Sequence, residues 1–402
     1  MSRPLSIAIF HMGFFFSGGG EKLVLLEALE LRRRGHDVRV YAPIVDREHC
    51  LPDLLERSPA TSLLPRVPNV FGVGHAIALL WSSLFAGRLV RGIDADVYLG
   101  ANQPGAWLAR IAARRHGKRY VVYLNQPNRL LAARGIDLET RHVVVKRDFF
   151  VLDAVASFGR PVLNALDRSS TRDAAVRLGD GAYVTGQLRS HYGGEWRSCP
   201  AAAEVPHRPP TSDREDDPLG YPYLLLTNRH YPQKRFELMF PVIERVRRDR
   251  PVMRLVITGQ ETIYTDRLRA EVARRGLSDA VRFLGLVTEA ELARLYRGAT
   301  VYVYPSPEED FGMGIVEAMA HGTPAVAWDN AGPTGIIQDG RSGRLIPLGD
   351  VRAFGEAVAE LVRDEGLRRR IGSGGWERAS ELFSLTAHGD VLEQALRDAA
   401  AR

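Results

Sequence analysis

VYVYPSPEEDFGMGIVEAMAHGTPAVAW, residues 301–328, sets a short aromatic and β-branched run against a polar loop, a helix-forming stretch and a second short apolar run. Short apolar strands joined by helical connections make a parallel sheet, because parallel neighbours need a long crossover. The same rhythm recurs outward from this stretch. In the C-terminal half it predicts strands at residues 223–226, 254–257, 281–284, 301–304 and 325–327, and in the N-terminal half at 5–10, 38–42, 97–99, 120–124 and 182–184. A polar, proline-rich segment at residues 199–222 separates the halves and reads as an ordered crossover plus linker. The fold class is therefore α/β with two doubly wound domains, residues 1–205 and 206–385. Two such sheets facing each other would place the carboxyl ends of their strands around one cleft, where open α/β sheets bind ligands.

A chain of 402 residues with 45% hydrophobic content can bury two cores. The 54 basic residues exceed the 48 acidic ones by 6, largely in runs at 32–34, 245–250 and 368–370. Such runs are solvated helix faces or contacts to an anionic membrane or polyanion. Aromatics are not interleaved with them, so no nucleic-acid platform is visible. Cys50 and Cys199 lie far apart without zinc or redox spacing, which fits a reduced, cytoplasmic home. MSRPLSIAIFHMG reads as a first buried strand rather than a secretory signal. Residues 70–90 are apolar but carry His75, Arg88 and glycines, and read as a buried or surface-associated helix rather than a membrane span.

Three loops carry candidate chemistry. Gly18-Gly19-Gly20 ends the loop after the first strand and opens an amphipathic helix, suited either to a phosphate at a helix N-terminus or to a tight turn alone. His11 sits in the same loop, as an acceptor contact or a packed side chain. Arg229 and Lys234 follow the strand at 223–226, where two cations would stabilise a departing nucleoside diphosphate or else be surface charge. Glu309 and Glu317 are separated by seven residues, with Gly312 and Gly314 between them to bring N–H groups against a ligand. Two carboxylates there suit the vicinal hydroxyls of sugar and ribose, although Glu317, read as opening a helix, is also favoured by the helix dipole. Asp94-Ala95-Asp96 has the DxD pattern of a metal site, but it precedes its strand and so stands at the wrong end for the cleft. No metal site is expected.

Together GGGEKL, RHYPQK, TGQ at 258–260, RFLGLVTEAELARLYRGATVYVYPS, the Glu-seven-Glu motif and AGP at 331–333 resemble the retaining glycosyltransferases of family four, group 1, over nearly the whole chain. The resemblance implies the GT-B fold, two Rossmann-like doubly wound domains facing across a cleft, the first binding acceptor and the second a nucleotide-sugar donor. It implies that residues 386–402 form a helix returning to the N-terminal domain. By it, Arg229 and Lys234 bind the donor diphosphate, Glu317 the ribose, and Glu309 faces the transferred sugar. Gly312, Met313 and Gly314 touch the sugar hydroxyls, Val287 joins the donor site, Gly19 and Gly20 lie near the diphosphate or acceptor, and His11, Asn125 and Gln126 stand on the acceptor side. The GGGEKLVLLEALELRRRGHDV and YLNQP segments look most like lipid-linked oligosaccharide mannosyltransferases, which suggests GDP-mannose, with a UDP-sugar as the other donor, a glycan or lipid-linked acceptor, no cofactor, and a cytoplasmic enzyme peripheral on the inner face of the membrane.

Four positions depart from that pattern. Asn125 stands in place of a histidine, Arg235 and Asp310 each replace a usual glycine, and Gly335 replaces a common glutamate. They leave room for a non-catalytic binding subunit, while an epimerase or phosphorylase on the same architecture finds no supporting feature. The resemblance favours front-face attack, since no acceptor-side carboxylate stands out as the nucleophile of a double displacement.

Overall fold

Parallel pairing dominates both halves of the chain. The computed structural model describes residues 3–15, 17–65, 73–129, 131–144, 150–207 and 218–402. Residues 70–72 of the apolar stretch and 208–217 of the expected linker lie outside them. The chain forms two units: Met1–Ala132 with Leu152–Ala202 and Leu385–Arg402, and Ala133–Val151 with Ala203–Ser384.

In the first unit the strands are β1 (Ser6–His11), β2 (Asp37–Ala42), β3 (Ala60–Ser62), β4 (Val97–Ala101), β5 (Arg119–Leu124), β6 (Val176–Gly179) and β7 (Arg197–Ser198), in the order β3-β2-β1-β4-β5-β6-β7. Their pairings are all parallel. The central strand β4, VYLGA, is buried at every residue, which is why it reads as a continuous apolar run rather than an alternating one. The helix Leu385–Ala400 closes this unit. His388 Nε2 lies 3.1 Å from Glu27 Oε1 on the helix Gly19–Arg33, and Arg34 Nη1 lies 2.7 Å from Asp390 and 3.0 Å from Glu393.

In the second unit the strands are β8 (Tyr223–Thr227), β9 (Arg254–Thr258), β10 (Val281–Gly285), β11 (Val301–Tyr304), β12 (Ala325–Trp328) and β13 (Arg344–Ile346), in the order β10-β9-β8-β11-β12-β13, again all parallel. Its core stacks Phe236, Phe240, Trp328 and Phe354 against the β-branched residues of these strands. Each sheet reverses its winding once, between β1 and β4 and between β8 and β11. At such a reversal the two following loops leave in opposite directions and open a crevice at the carboxyl ends of the strands.

One expected strand is wrong. Residues 182–184 belong to the helix Gly181–Tyr192, and the strand is β6, just before it. Gly181, at φ 74°, breaks the strand, and Val184 and Leu188 bury one helical face at a spacing of four. The edge strands β3, β7 and β13 have three, two and three residues, too short to show a periodicity.

The loops after β8 and β9 touch closely enough to need glycine. Gly259 has φ 134°, and a Cβ there would lie 1.9 Å from the carbonyl oxygen of Asn228, the residue before Arg229. Gly259→Ala is expected to cost about 2 kcal/mol or more through that backbone clash and the left-handed strain. That should lower the melting temperature by roughly 4–8 °C, read by calorimetry. A variant that melts with the wild type would show that the loop adapts freely.

Candidate functional site

The second unit assembles its site at the β8/β11 reversal. After β8 the chain passes Asn228 and Arg229, then a short 3-10 turn at Pro232–Lys234; after β11 it passes residues 305–312 into the helix Met313–Ala320. These loops bring Lys234 Nζ to 2.5 Å from Glu309 Oε2, and the same oxygen accepts from Tyr304 Oη at 2.6 Å. The Glu309 side chain is only 14% exposed. Burial alone would raise its pKa, but the Lys234 charge, the hydrogen bonds from Lys234 and Tyr304 and the more distant Arg134 outweigh it and hold the carboxyl at about 2. Burial and the Glu309 charge push the Tyr304 hydroxyl well above its usual range, so it remains a donor.

Arg229 is half-buried, its guanidinium 5.5 Å from the Tyr231 ring centre. Its neighbour His230 is buried, donates its amide to Gln260 O at 2.9 Å and sets Nδ1 3.0 Å from Thr265 Oγ1. Burial lowers the His230 imidazole to about 4, so it anchors the loop as a neutral group.

Glu317 does not open its helix, as the sequence suggests, but is the fifth residue of Met313–Ala320. Gly312, at φ 117°, caps that helix, so Met313 and Gly314 form its first turn and the dipole does not account for Glu317. A Cβ on Gly314 would lie 2.1 Å from Tyr302 Oη, which explains the glycine by close packing. Tyr296 Oη lies 2.8 Å from Glu317 Oε2, and Thr227 Oγ1 at the end of β8 meets Tyr296 and Tyr302 at 3.0 and 2.8 Å. Val287 is half-buried just past β10, two strands from β8. Around Gly335 a Cβ would meet nothing within 4 Å, so the missing side chain leaves open space.

The first unit repeats the logic at the β1/β4 reversal. Gly19 and Gly20 open the helix Gly19–Arg33 without a side-chain cap. A Cβ on Gly20 would stand 3.6 Å from Asn125 Oδ1 and 3.7 Å from Asn102 Nδ2. Asn102 Nδ2 donates to Asn125 Oδ1 at 2.7 Å, the Asn125 amide N–H donates to Asn102 Oδ1 at 3.0 Å, and Asn125 Nδ2 donates to Asp180 Oδ2 at 3.2 Å. The amide at 125, at the end of β5, is thus satisfied from the ends of its two neighbouring strands, β4 and β6. Gln126 is exposed. His11 is wholly buried, with Nδ1 3.2 Å from Ala101 O, and burial lowers its pKa to about 4, so it is a neutral packed ring in this unit.

Asn102 has no motif of its own in the sequence, while His230 lies inside RHYPQK and Tyr296 and Tyr304 inside RFLGLVTEAELARLYRGATVYVYPS without a role read for them there. Asn102, at φ 58° immediately after β4, had one usable signal, its place in the turn ANQPG.

Removing the Glu309 charge leaves Lys234 without its anion in a mostly buried place. Glu309→Gln is expected to destabilise by about 2 kcal/mol, after discounting for the partial exposure of the pair. The folded carboxyl lies below its ordinary 4.5, so its contribution is complete above about pH 4.5 and is lost as pH falls through about 2. The melting temperatures of wild type and variant should therefore differ by a constant amount from about pH 8 to 5 and converge below about pH 4. A gap independent of pH would remove the ion pair as its cause.

Residues 208–378 match the family model "Glycosyl transferases group 1" and residues 17–196 match "Glycosyltransferase Family 4". A D-inositol 3-phosphate glycosyltransferase of Streptomyces bingchenggensis is 36% identical over 148 residues, 35% of this chain and 31% of that protein. The phosphatidyl-myo-inositol mannosyltransferase of Mycobacterium leprae is 35% identical over 160 residues, 40% of this chain and 42% of that one. These matches thus span less than half of each relative. Among solved structures, sucrose-phosphate synthase from Thermosynechococcus elongatus superposes with a TM-score of 0.74 at 17% identity, over 98% of this chain and 99% of that one. Anabaena Alr3699/HepE, in complex with UDP and glucose, gives 0.72 at 18% identity with the same coverage. At such identities these two show the fold alone, that of the GT-B glycosyltransferases. With two family models that between them take in most of the sequence, the chain belongs to the group 1 glycosyltransferases of family four.

Proposed function

We propose that this chain transfers a hexose from a nucleoside diphosphate donor to a glycan or lipid-linked acceptor with retention, without a metal or other cofactor, and that GDP-mannose is the first donor to test. The observation that carries the reading is the Lys234–Glu309–Tyr304 cluster at the β8/β11 reversal, with Arg229 on the same loop. Lys234 and Arg229 offer positive charge to the diphosphate as it leaves, and the ionised Glu309 accepts from hydroxyls of the transferred sugar. Glu317, which Tyr296 holds by a hydrogen bond, takes the ribose diol in this reading. Asn125, Asn102 and Gln126 offer amides on the acceptor side, beside Gly19 and Gly20.

In a front-face displacement the acceptor oxygen bonds to the anomeric carbon on the side from which the phosphate oxygen departs. The acceptor proton passes to that phosphate oxygen, and no covalent sugar–enzyme bond forms. The protein's part is positioning and charge stabilisation. The mannosyltransferases among the relatives favour mannose, while the UDP in the Anabaena structure keeps a UDP-sugar as the other donor to try.

A membrane-side acceptor is supported by one surface. Among the described residues no helix is long and apolar enough to cross a bilayer. The helix Val73–Leu84 and the residue after it nevertheless expose Leu80, Trp81, Leu84 and Phe85, with the Trp81 and Phe85 rings 4.5 Å apart. Arg88 and Arg91 follow, both exposed. Aromatics beside arginines suit the interface of an anionic membrane, which we propose as the place of action.

Thermal melting with GDP, UDP, ADP and their sugar conjugates tests the donor site. At about 100 times the dissociation constant, the matching nucleotide should stabilise by roughly 2.7 kcal/mol, and Glu317→Ala or Arg229→Ala should abolish the gain. Transfer is then read by the anomeric coupling of the product, and a product of inverted configuration would refute retention. No shift with any nucleotide would leave a non-catalytic subunit as the better reading. For the surface, sedimentation with vesicles of neutral lipid, with and without phosphatidylglycerol, should show binding only to the anionic ones. Trp81→Ser with Leu84→Ser should lose it, and equal sedimentation with both vesicle types would refute the anionic preference.

A further inference from the structure

Residues Ala133–Val151 stand in the N-terminal half of the sequence, flanked by residues of the first unit, yet belong to the second. Their helix, Gly135–Val144, meets the site loops at two points. Arg134 Nη1 donates to Glu308 O at 2.8 Å and stands 3.4 Å from Asp310 Oδ2, so one guanidinium edge spans the turn that carries Glu309. Its other edge is fixed on Asp137, with Nε 2.9 Å from Oδ2 and Nη2 2.8 Å from Oδ1. The Glu308 carboxylate answers from the loop side, accepting from the Ile136 N–H in the first turn of the helix at 3.4 Å. At the second point Arg235 Nη2 lies 2.5 Å from Glu139 Oε1. Arg235 follows Lys234 directly and sits at φ 51°, a strained conformation for a residue with a side chain.

Each partner of the Lys234–Glu309 pair therefore has a chain neighbour fastened to the same helix. We propose that this helix is a clamp on the donor site and that Arg134 is a positioning residue, which sets the Glu308–Asp310 turn so that Glu309 meets both Lys234 and the transferred sugar. Arg235 and Glu139 fasten the other arm. Arg134 is 17% exposed and Asp310 10%, so the contact is shielded from solvent, unlike a surface ion pair. Burial disfavours the Arg134 charge, yet the surrounding carboxylates raise its pKa, so it stays a cation throughout the working range.

The inference rests on reading Glu309 as the sugar-facing group. Its test compares full-length wild type, Arg134→Ala and Arg134→Lys for transfer and for binding of the nucleoside diphosphate alone. A misplaced Glu309 should lower kcat about tenfold to a hundredfold in Arg134→Ala, since small displacements of a positioning group are costly. Affinity for the nucleoside diphosphate, which lacks the sugar, should change less than about twofold, and Arg134→Lys should recover only part of kcat because it cannot span both partners. Arg235→Gln, Glu139→Gln and their double variant should show about the same moderate loss, the mark of one pair. An unchanged kcat overturns the proposal, and so does a parallel fall of kcat, nucleoside diphosphate affinity and melting temperature, which is general loosening. Should the wild type bind no nucleotide sugar, the functional reading fails. The clamp is then read by amide exchange: about tenfold faster exchange across residues 305–312 in Arg134→Ala supports it, and equal exchange overturns it.

Discussion

The ion pair between Lys234 and Glu309 is the constraint on which the second unit is organised. Taking two charges mostly out of water is costly unless each keeps good partners, and here one carboxylate oxygen takes both the ammonium and the Tyr304 hydroxyl. The two residues are 75 apart in sequence and meet only because β8 and β11 are neighbours while the chain between them builds β9 and β10 on the other side. Glycines make the approach sterically possible. Gly259 lets the loop after β9 lie against Asn228, and Gly332 lies where a Cβ would be 2.3 Å from Phe311 O and 2.6 Å from Asp310 O. The reversal of strand order fixes which loops meet, and the glycines let them come close enough for charge to pair with charge.

The first unit applies the same rule mainly with amides. At its reversal, Gly20 faces a pair of asparagine side chains that hydrogen-bond each other and lean on Asp180 at the end of β6. Amides offer donors and acceptors without a fixed charge, which suits hydroxyl recognition, while the cationic loop of the second unit suits phosphate. The two strand-end sites therefore differ in chemistry, amides in the first unit and cations in the second, which is the contrast the proposed function draws on.

Much of the fold was legible because strands buried on both faces are continuous apolar runs, as in β1, β4, β5, β8, β9, β11 and β12, while β2 alternates buried Val38, Val40 and Ala42 with more exposed residues and the edge strand β10 buries only Val281. What escaped has physical reasons. β3, β7 and β13 are edge pieces too short for a pattern, and residues 182–184 imitate a strand because three residues cannot separate a period of 2 from one of 3.6. At the site, the residue types that hold charge or need positive φ were visible in the loops. The groups that aim them were not: Tyr304 and Tyr296 look like ordinary core aromatics, and His230 like one more polar loop residue. Helix 135–144 was invisible as a part of the second unit, since no change of composition marks where the chain crosses at residue 133 and returns at 151.

That crossing also changes how two unusual residues are understood. Arg235 and Asp310, taken singly, look like damage where the family resemblance expects glycine, and Arg235 does carry the strain of φ 51°. In the folded unit both reach the same short segment, one through Glu139 and the other through Arg134. A strained side chain that gains an ionic partner, and a carboxylate that gains a shielded guanidinium, are compensated rather than merely tolerated. Because the two compensations share one helix, neither substitution is independent of the other. The same two positions with glycine would remove the ionic partners of Glu139 in the middle of the helix and of Arg134 just before it, so the departures are intelligible only together with residues 133–144.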